Sequence, residues 1–160
     1  MQVFIRKAER KDINKITELL HEVLELHAAI RPDIFVSGTT KYTESELTAI
    51  IENEKTPVFV AEGDDGEVKG YAFCQIKDPP FSTNMRKVKS LFIDDLCVDE
   101  GCRGAHVGQK LFSFAKEFAK NAGCYDITLN VWAGNDNAIR FYDKMGMFVK
   151  ETQMELILDK

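Results

Sequence analysis

The stretch VDEGCRGAHVGQKLF, residues 98–112, follows the apolar run VKSLFIDDLCV, residues 88–98. This pattern predicts a strand that turns sharply into a helix. Gly104 and Gly108 let the main chain approach a ligand closely, and Arg103 adds a positive charge. Because the N–H groups of a first helical turn lack partners and the helix dipole favours anions, the stretch predicts a phosphate or pyrophosphate site. The spacing alone is equally consistent with a glycine turn that serves only packing.

The elements predicted on either side of this stretch define the fold class. Thr43 and Glu46 form a capping-box pattern that opens a helix, and residues 63–66 form an Asp/Gly turn between two strands. In chain order we predict a strand at 2–6, helices through 13–24 and from 43, strands at 58–61, 68–76 and 88–98, a helix to 121, a strand at 125–131, a helix at 138–145 and a strand at 148–158. This order indicates one mixed sheet flanked by helices, of class α/β.

Composition limits the class of protein. The 160 residues, 44% of them hydrophobic, suffice for one domain with a buried core. The 21 basic and 26 acidic residues give a net charge of -5, and no Lys/Arg run is longer than two residues. We therefore expect no nucleic-acid binding. A mildly acidic surface is compatible with cationic small molecules or peptides as partners.

The cysteines and histidines show no disulfide or metal pattern. The four cysteines contain no C-x-x-C pair and the three histidines are scattered, so we expect reduced thiols and no metal. The first twelve residues, MQVFIRKAERKD, contain too few apolar residues for a signal peptide, and no apolar run has the length of a membrane span. We expect a cytoplasmic protein that does not bind membranes.

Two motifs, in this order, resemble those of a known enzyme family. Residues 98–112 contain neither G-x-x-x-x-G-K-[ST] nor G-x-G-x-x-G, so nucleotide hydrolysis and dinucleotide binding lose their usual support. They resemble instead motif A of the acetyl-CoA-dependent N-acetyltransferase superfamily (GNAT), Arg/Gln-x-x-Gly-x-Gly/Ala. WAGNDNAIRFYDKMGM, residues 132–147, resembles motif B, Asn-x-x-Ala-x-x-Phe-Tyr-x-x-x-Gly-Phe. The matching residues are Arg103 and Gly108, then Asn135, Asn137, Ala138, Phe141, Tyr142 and Gly146.

The resemblance implies a fold, a reaction and a cosubstrate. It implies a single domain over residues 1–160, with a mixed, mainly antiparallel sheet flanked by about four helices. It implies transfer of an acetyl group from acetyl-CoA to a primary amine of a small molecule or peptide, directly in a ternary complex and without a metal. Two alternatives stay open: a sensor that binds acetyl-CoA or CoA without turnover, and an enzyme for longer acyl groups. Dimers are common in the family, and the predicted strand at 148–158 is a candidate interface.

The same resemblance assigns residues to the cosubstrate. The thioester arm would pair with the strand at Leu96, Cys97 and Val98, where a main-chain N–H would polarise the acetyl carbonyl. The pyrophosphate is assigned to the turn and helix start formed by Arg103, Gly104, Ala105, His106, Val107 and Gly108. Asn130, Asn135 and Asn137 match places where the family binds cofactor amides or begins a helix. Asn135 and Asn137 are equally well explained as N-caps.

Three residues are candidates for proton transfer. Acyl transfer to an amine needs a base for the amine and an acid for the departing thiolate. The resemblance gives the acid role to Tyr142. Asp94 and Asp95 match a place where the family has a base or binds a cationic acceptor, although pairing with a Lys or Arg of a neighbouring strand is equally consistent. Strand alternation predicts that the two carboxylates face opposite sides of the sheet, and we favour Asp94 as base.

One position departs from the family pattern, and one region is poorly determined. His106 stands where the family has its first motif-A glycine. A positive φ would strain a histidine, so we expect ordinary helical geometry there, with the side chain pointing outward. The resemblance places the acceptor pocket at residues 27–42 and 79–86, where His27, Arg31, Asp33 and Phe35 are candidate lining residues. No pattern in these segments identifies the acceptor.

Overall fold

The strands and helices follow the predicted order. The computed structural model describes residues 2–102 and 105–159. The strands are β1 (Val3–Lys7), β2 (Val58–Gly63), β3 (Val68–Lys77), β4 (Ser90–Val98) and β5 (Asp126–Leu129). The helices are α1 (Ile13–Ile30), α2 (Glu44–Glu52), α3 (Val107–Asn121) and α4 (Asp136–Lys144), with 3-10 turns at Arg10–Asp12 and Glu100–Cys102. The predicted α/β class, a mainly antiparallel sheet flanked by helices, is confirmed.

Local sequence signals set the ends of α1 and α2. The chain leaves α1 at Arg31, because a proline at position 32 disfavours helical geometry in the residue before it. The helix α2 begins after Thr43, whose hydroxyl accepts the Glu46 N–H at 3.1 Å. The Glu46 carboxylate in turn accepts the Thr43 N–H at 3.0 Å. This reciprocal cap, a capping box, fixes the path of the chain just after Tyr42.

The sheet opens between β4 and β5. Its order is β1-β2-β3-β4-β5, and the first three pairs are antiparallel, whereas β4 and β5 are parallel. The parallel ladder runs from Ser90 opposite Asp126 to Ile93 opposite Leu129. Beyond Ile93, β4 continues along β3 as far as Val98, while β5 has ended. The two strands therefore separate and leave a cleft at their carboxyl ends.

Helices cover both faces of the sheet. On one face, Leu19 of α1 and Leu47 of α2 pack over Tyr71 of β3, and all three side chains are fully buried. On the other face, Leu111 of α3 packs with Leu91 of β4, and α4 adds partly buried side chains to this second core. Each large apolar side chain buried in this way contributes about 2 kcal/mol. The cleft between β4 and β5 thus lies between two packed layers that hold its walls in place.

The predicted strand at 148–158 is wrong for this chain on its own. Main-chain hydrogen bonding of the described residues reaches Met147, whose N–H donates to the Tyr142 carbonyl, and none is found from residue 148 to residue 158. The segment is extended and its side chains are exposed. The alternating apolar pattern is that of a strand, but a strand exists only when a neighbour supplies hydrogen-bond partners. No main-chain hydrogen bond joins the described residues of this segment to a described strand.

Candidate active site

The cleft between β4 and β5 exposes the main chain of β4. On one side β4 pairs with β3 along its whole length. On the other side, no described residue pairs with Leu96, Cys97 or Val98, because the ladder with β5 ends at Ile93. Main-chain N–H and C=O groups on this edge are strong hydrogen-bonding groups without a strand partner. They are available to an extended ligand, at the residues assigned to the thioester arm.

The first turn of α3 packs against the same end of β4. A Cβ atom at Gly108 would lie 3.3 Å from the Phe141 ring of α4 and 3.5 Å from the Val98 side chain. The absence of a side chain at Gly108 therefore brings α3, α4 and the end of β4 together. Gly108 is therefore required for packing, in addition to any close approach of a ligand that it permits.

The amino end of α3 presents main-chain N–H groups that donate to no carbonyl of the described residues. The first helical hydrogen bond runs from the Lys110 N–H to the His106 carbonyl at 3.1 Å. The N–H groups of Val107, Gly108 and Gln109 precede it, and the His106 side chain makes no capping hydrogen bond. Such a helix start attracts anionic groups. Of the predicted phosphate-binding residues, Arg103 and Gly104 lie outside the described residues, while Ala105 lies in the bend just before the helix.

His106 adopts the backbone conformation that a glycine favours. Its φ is 59° and its ψ is 26°, and no other described non-glycine residue has a positive φ. The expectation of ordinary helical geometry at this position is therefore wrong. The chain turns here from the 3-10 turn at Glu100–Cys102 into α3, and this change of direction requires the left-handed region whichever residue is present.

A bulge in β4 places both aspartates on the same face of the sheet. Phe73 of β3 lies opposite Asp95 and the next residue, Cys74, lies opposite Ile93, so Asp94 is an extra residue in β4. The prediction that the carboxylates face opposite sides is therefore wrong. Strand alternation holds on either side of the bulge but is interrupted by it. Both carboxylates contact side chains on the α1 and α2 face.

Each aspartate has its own hydrogen-bond partners. The buried Tyr71 hydroxyl donates to Asp95 at 2.7 Å. Lys41 donates to Asp94 at 2.8 Å, and the Tyr42 hydroxyl donates to the same oxygen at 3.2 Å. The partner of Asp94 is thus a lysine, but one from the loop before α2 rather than from a neighbouring strand.

Burial and neighbouring charges shift the pKa values of Asp95, Lys41 and Tyr71. Burial raises the pKa of Asp95 to about 6, although the Tyr71 hydroxyl and the Lys41 charge act in the opposite direction. Burial lowers the pKa of Lys41, but its hydrogen bond to Asp94 and the charge of Asp94 outweigh this and raise it. Burial and the Asp95 charge raise the pKa of Tyr71 well above its ordinary value. Near neutral pH, Asp95 is the carboxylate poised closest to proton exchange.

Tyr142 lies on the opposite face, in the layer formed by α3 and α4. Its ring packs against Phe141 and Phe112, with centroids 5.1 and 6.3 Å away. Burial, then the negative charge of Asp95, raise the pKa of its hydroxyl, which stays protonated at neutral pH. All buried side-chain nitrogen and oxygen atoms of the described residues have a hydrogen-bond partner, whereas none of these residues binds the Tyr142 hydroxyl. The hydroxyl therefore reaches an accessible surface, free to donate a proton.

The three asparagines differ in their surroundings. Asn135 is the N-cap of α4, and its side-chain oxygen accepts the Ala138 N–H at 3.4 Å. The Asn137 side-chain oxygen accepts a hydrogen bond from Arg140 at 2.5 Å within the same helix. Asn130 is exposed just after β5. Capping thus accounts for Asn135, whereas Asn130 and Asn137 cap no helix.

An aromatic cluster borders the cleft at the end of α1. His27 lies 5.2 Å from Phe35, and Phe35 meets the Trp132 ring edge-on at 5.5 Å. The Arg31 guanidinium lies 5.9 Å from the Trp132 ring and is paired with Asp33. Burial, then the charge of Lys41, lower the pKa of His27. Three of the four predicted lining residues thus lie together with Trp132, namely His27, Arg31 and Phe35. The fourth, Asp33, pairs with Arg31.

Comparison with known proteins identifies the family. A family model described as the acetyltransferase (GNAT) family matches residues 5–147. The chain belongs to this family. Glucosamine 6-phosphate N-acetyltransferase of Trypanosoma brucei brucei is 33% identical over 154 residues, 96% of this chain and 95% of that protein. The enzyme of the same name from Arabidopsis thaliana is 35% identical over 159 residues, 97% of this chain and 96% of that protein.

A solved structure is similar along almost the whole GNAT chain. The crystal structure of a point mutant of the BH1408 protein from Bacillus halodurans has a TM-score of 0.92 and 32% identity, and the similarity covers 97% of this chain and 99% of that one. Together with the named relatives, it makes the protein an N-acetyltransferase with the GNAT fold. Members of this family use acetyl-CoA as cosubstrate.

Several residues of this GNAT site had no signal in the sequence. Lys41 and Tyr42 belong to an irregular loop, and Tyr71 reads as one more apolar strand residue. Within residues 2–102 and 105–159, no group of three or more metal-ligating side chains occurs and no helix is long and apolar enough to cross a membrane.

Proposed function

We propose that residues 1–160 form a single N-acetyltransferase domain that transfers the acetyl group of acetyl-CoA directly to a cationic primary amine in a ternary complex. The observation that carries this proposal is the two-sided cleft between β4 and β5. The aspartate pair lies on its α1 and α2 face, and Tyr142 lies on its α3 and α4 face. One set of residues can therefore take a proton from the amine, while a residue on the opposite side of the cleft donates a proton to the departing thiolate.

The residues around the cleft fit acetyl-CoA. Its thioester supplies the activated acetyl group. The open edge at Leu96, Cys97 and Val98 offers main-chain groups to an extended arm, and an N–H on this edge can polarise a carbonyl. The first-turn N–H groups of α3, which donate to no described carbonyl, suit the pyrophosphate, with His106, Val107 and Gly108 at the helix start. Motif A adds Arg103, Gly104 and Ala105 to this group, and Asn130, Asn135 and Asn137 are proposed for the cofactor amides.

Asp95 is the proposed proton acceptor for the amine. Its pKa of about 6 makes it a stronger base than an ordinary aspartate while leaving it ionised at neutral pH. The Tyr71 hydroxyl holds one of its oxygens in place at 2.7 Å. Asp94, already paired with Lys41 and Tyr42, is proposed to attract the cationic amine rather than to take its proton. This division of roles modifies the preference for Asp94 that the sequence pattern suggested.

Tyr142 is the proposed acid for the departing thiolate. A thiolate formed in the cleft needs a proton, and a tyrosine with a raised pKa is fully protonated at neutral pH. Its hydroxyl accepts or donates no hydrogen bond to another described residue. Among residues 2–102 and 105–159, the proton therefore has no competing hydrogen-bond partner.

The acceptor end is acidic, which favours an amine without a phosphate. Lys41 is paired with Asp94, and Arg31 is paired with Asp33 and Glu155. Each of these two cations is therefore neutralised before any acceptor arrives, and the Asp95 carboxylate adds a further negative charge. The two relatives named above act on glucosamine 6-phosphate, but a phosphate here would meet carboxylates. We propose a cytoplasmic enzyme, since its four cysteines form no disulfide.

A transfer assay with tyrosine variants tests the proposal. Thiol release from acetyl-CoA is measured with a panel of primary amines. Tyr142→Phe should lower kcat by about 100-fold or more, because the thiolate loses its acid. Tyr125→Phe removes the hydroxyl of an exposed tyrosine and should leave kcat unchanged.

Three results would contradict the proposal. Full turnover in Tyr142→Phe would remove Tyr142 from the acid role. Thermal stabilisation by acetyl-CoA without turnover on any amine would instead favour a sensor module, the competing function. Faster turnover with longer acyl-CoA donors than with acetyl-CoA would show that the enzyme transfers a longer acyl group instead of acetyl.

A further inference from the structure

Lys41 places a primary amine of the chain itself at the acceptor end of the cleft. Its Nζ donates to Asp94 at 2.8 Å, and 46% of its side-chain surface is exposed. Asp94 is the carboxylate proposed to attract a cationic amine. This carboxylate is therefore already paired with an amine of the chemical class that the proposed reaction acetylates.

Two anchors hold the main chain near Lys41 in place. Three residues before it, the Gly38 N–H donates to Glu25 of α1 at 2.6 Å. Two residues after it, Thr43 is fixed by its reciprocal hydrogen bonds with Glu46. The lysine side chain itself is a flexible four-carbon stem that ends in a compact charged group. The amine can therefore change position within the cleft while its main chain stays beside β4.

The groups that acetylation of this amine requires lie next to it. Asp95, the proposed base, follows Asp94 directly in β4, and its pKa responds to the charge of Lys41. The open main-chain edge proposed for the thioester begins at the next residue, Leu96. Since a strand rises about 3.3 Å per residue, this edge begins about 7 Å along β4 from Asp94. A lysine paired with Asp94 is therefore adjacent to both the proposed base and the proposed thioester site.

We propose that Lys41 is an internal acetyl acceptor, which the active site of its own chain acetylates when no other amine is bound. This inference rests on the proposed acetyl transfer from acetyl-CoA. The amine of Lys41 is protonated in its ion pair, as free primary amines are at neutral pH, so it needs the same base as an added acceptor.

The transfer to Lys41 balances without a further reactant. The Nζ ammonium gives one proton to Asp95, and the freed electron pair attacks the carbonyl carbon of the acetyl group. A C–N bond forms, the C–S bond of the thioester breaks, and the departing thiolate takes a proton from Tyr142. The nitrogen loses a second proton as the amide forms, which restores Tyr142, and Asp95 returns its proton to the solvent. The products are acetylated Lys41 and CoA.

Acetylation of Lys41 changes the charge that an acceptor meets. The amide carries no positive charge, so Asp94 loses its ion pair and keeps the Tyr42 hydroxyl at 3.2 Å. An added cationic amine then no longer competes with the ammonium of Lys41 for this carboxylate. The modification should therefore lower the KM for cationic amines.

Two variants of Lys41 test this effect on KM. Lys41→Gln imitates the uncharged acetylated side chain and should lower the KM for a cationic amine at least about 3-fold relative to Lys41→Arg. Lys41→Arg keeps the positive charge beside Asp94 but cannot form the acetylated lysine. A KM in Lys41→Gln equal to or above that of Lys41→Arg would overturn the predicted effect of the modification.

Peptide mass spectrometry tests the modification itself. Acetylated Lys41 is counted in the full chain as purified and after incubation with acetyl-CoA alone. Most chains should become acetylated at Lys41, at a first-order rate that does not change with protein concentration. Lys120 of α3 is the matched control, because it also pairs with a carboxylate, that of Glu117, and 62% of its side chain is exposed. It should be acetylated at least about 10-fold more slowly, since it is not held beside the thioester site.

Asp95→Asn distinguishes enzymatic transfer within one chain from other routes. The variant should acetylate Lys41 about 100-fold more slowly, because the amine loses its base, while acetylation of Lys120 should not change. When isotopically labelled Asp95→Asn chains are mixed with wild-type chains, only the wild-type chains should carry acetylated Lys41. Retained CoA binding confirms that the variant is folded.

Three results would overturn the internal acceptor. They are an unmodified Lys41, equal rates at Lys41 and Lys120, and acetylated Lys41 on the labelled Asp95→Asn chains. Thiol release with the panel of amines, measured on the same protein, separates this failure from that of the proposed function. Turnover on an added amine with Lys41 unmodified contradicts the internal acceptor alone, whereas no acetylated product of any kind contradicts both.

Discussion

Asp95 owes its chemistry to one extra residue in β4. The bulge at Asp94 turns Asp95 toward Tyr71 on the face covered by α1 and α2. Without the bulge, alternation would place the Asp95 side chain in the opposite core. The same bulge lets Asp94 meet Lys41 from the loop before α2. Two adjacent carboxylates thus lie on one side of the sheet with different partners, and burial raises the pKa of Asp95 to about 6.

The raised pKa of Asp95 predicts how the reaction depends on pH. Asp95 becomes protonated as the pH falls through about 6, so kcat/KM should decline below that value. In Asp95→Asn this decline should disappear, together with about 100-fold of the plateau activity. Because its folded pKa is above its unfolded value, ionised Asp95 lowers stability above about pH 6, so the variant should fold without loss of stability. A decline centred near 6 that persists in Asp95→Asn would remove Asp95 from the base role.

Asp94→Asn is the matched control for that experiment. We expect a higher KM for the amine, because the carboxylate that attracts it is gone. The decline below pH 6 should remain, because Asp95 is still present.

The sequence predicts the residue types of the site better than their arrangement. The resemblance to motif B predicts Tyr142 as the acid, and the adjacent Asp94 and Asp95 are predicted candidates for the base. The bulge that reorients Asp95 depends on pairing with Phe73 and Cys74, which lie more than twenty residues away. Lys41 reaches the site through a loop with no regular pattern. Such long-range contacts leave no periodic signal in the chain.

At the scale of elements, the start of α3 carries a strained backbone. His106 has a φ of 59°, which an L-residue other than glycine adopts at a cost of about 1 kcal/mol. His106→Gly should therefore raise the free energy of unfolding by up to about 1 kcal/mol and preserve CoA affinity. Urea denaturation and calorimetric titration measure the two quantities.

Gln109→Gly is the control within the same helix. Its residue lies inside α3, so glycine there should lower stability by about 1 kcal/mol. A loss of stability in His106→Gly as well would show that the left-handed conformation is not strained. A loss of CoA affinity would show that the imidazole itself contacts the cosubstrate.

Helices and strands were predictable where the local pattern was sufficient. The capping box at Thr43 and the proline after Arg31 set the helix ends that are found. The segment 148–158 has an equally clear strand pattern, yet no strand forms within one chain. Local preference specifies the extended conformation, whereas a strand also needs main-chain hydrogen bonds to a neighbour, and the described residues of this segment make none.

At the scale of the whole molecule, the fold separates the proposed acceptor and acetyl-CoA ends of the reaction. The α1 and α2 layer carries the acidic acceptor end, and the α3 and α4 layer carries Tyr142 and the helix start suited to a pyrophosphate. The net charge of -5 agrees in sign with this acidic end. The cleft between β4 and β5 joins the two layers, so a thioester lying in it would be exposed to both.

A comparison of two acceptors that differ only in a phosphate tests this arrangement most directly. Glucosamine and glucosamine 6-phosphate carry the same amine and differ by one phosphate. With acetyl-CoA in excess, mass spectrometry of the products and thiol release should give a kcat/KM at least about 10-fold higher for glucosamine, because carboxylates at the acceptor end repel the phosphate. Preferred acetylation of the phosphorylated amine, or no acetylated product with any primary amine, would contradict the proposed acetyl transfer to a cationic amine.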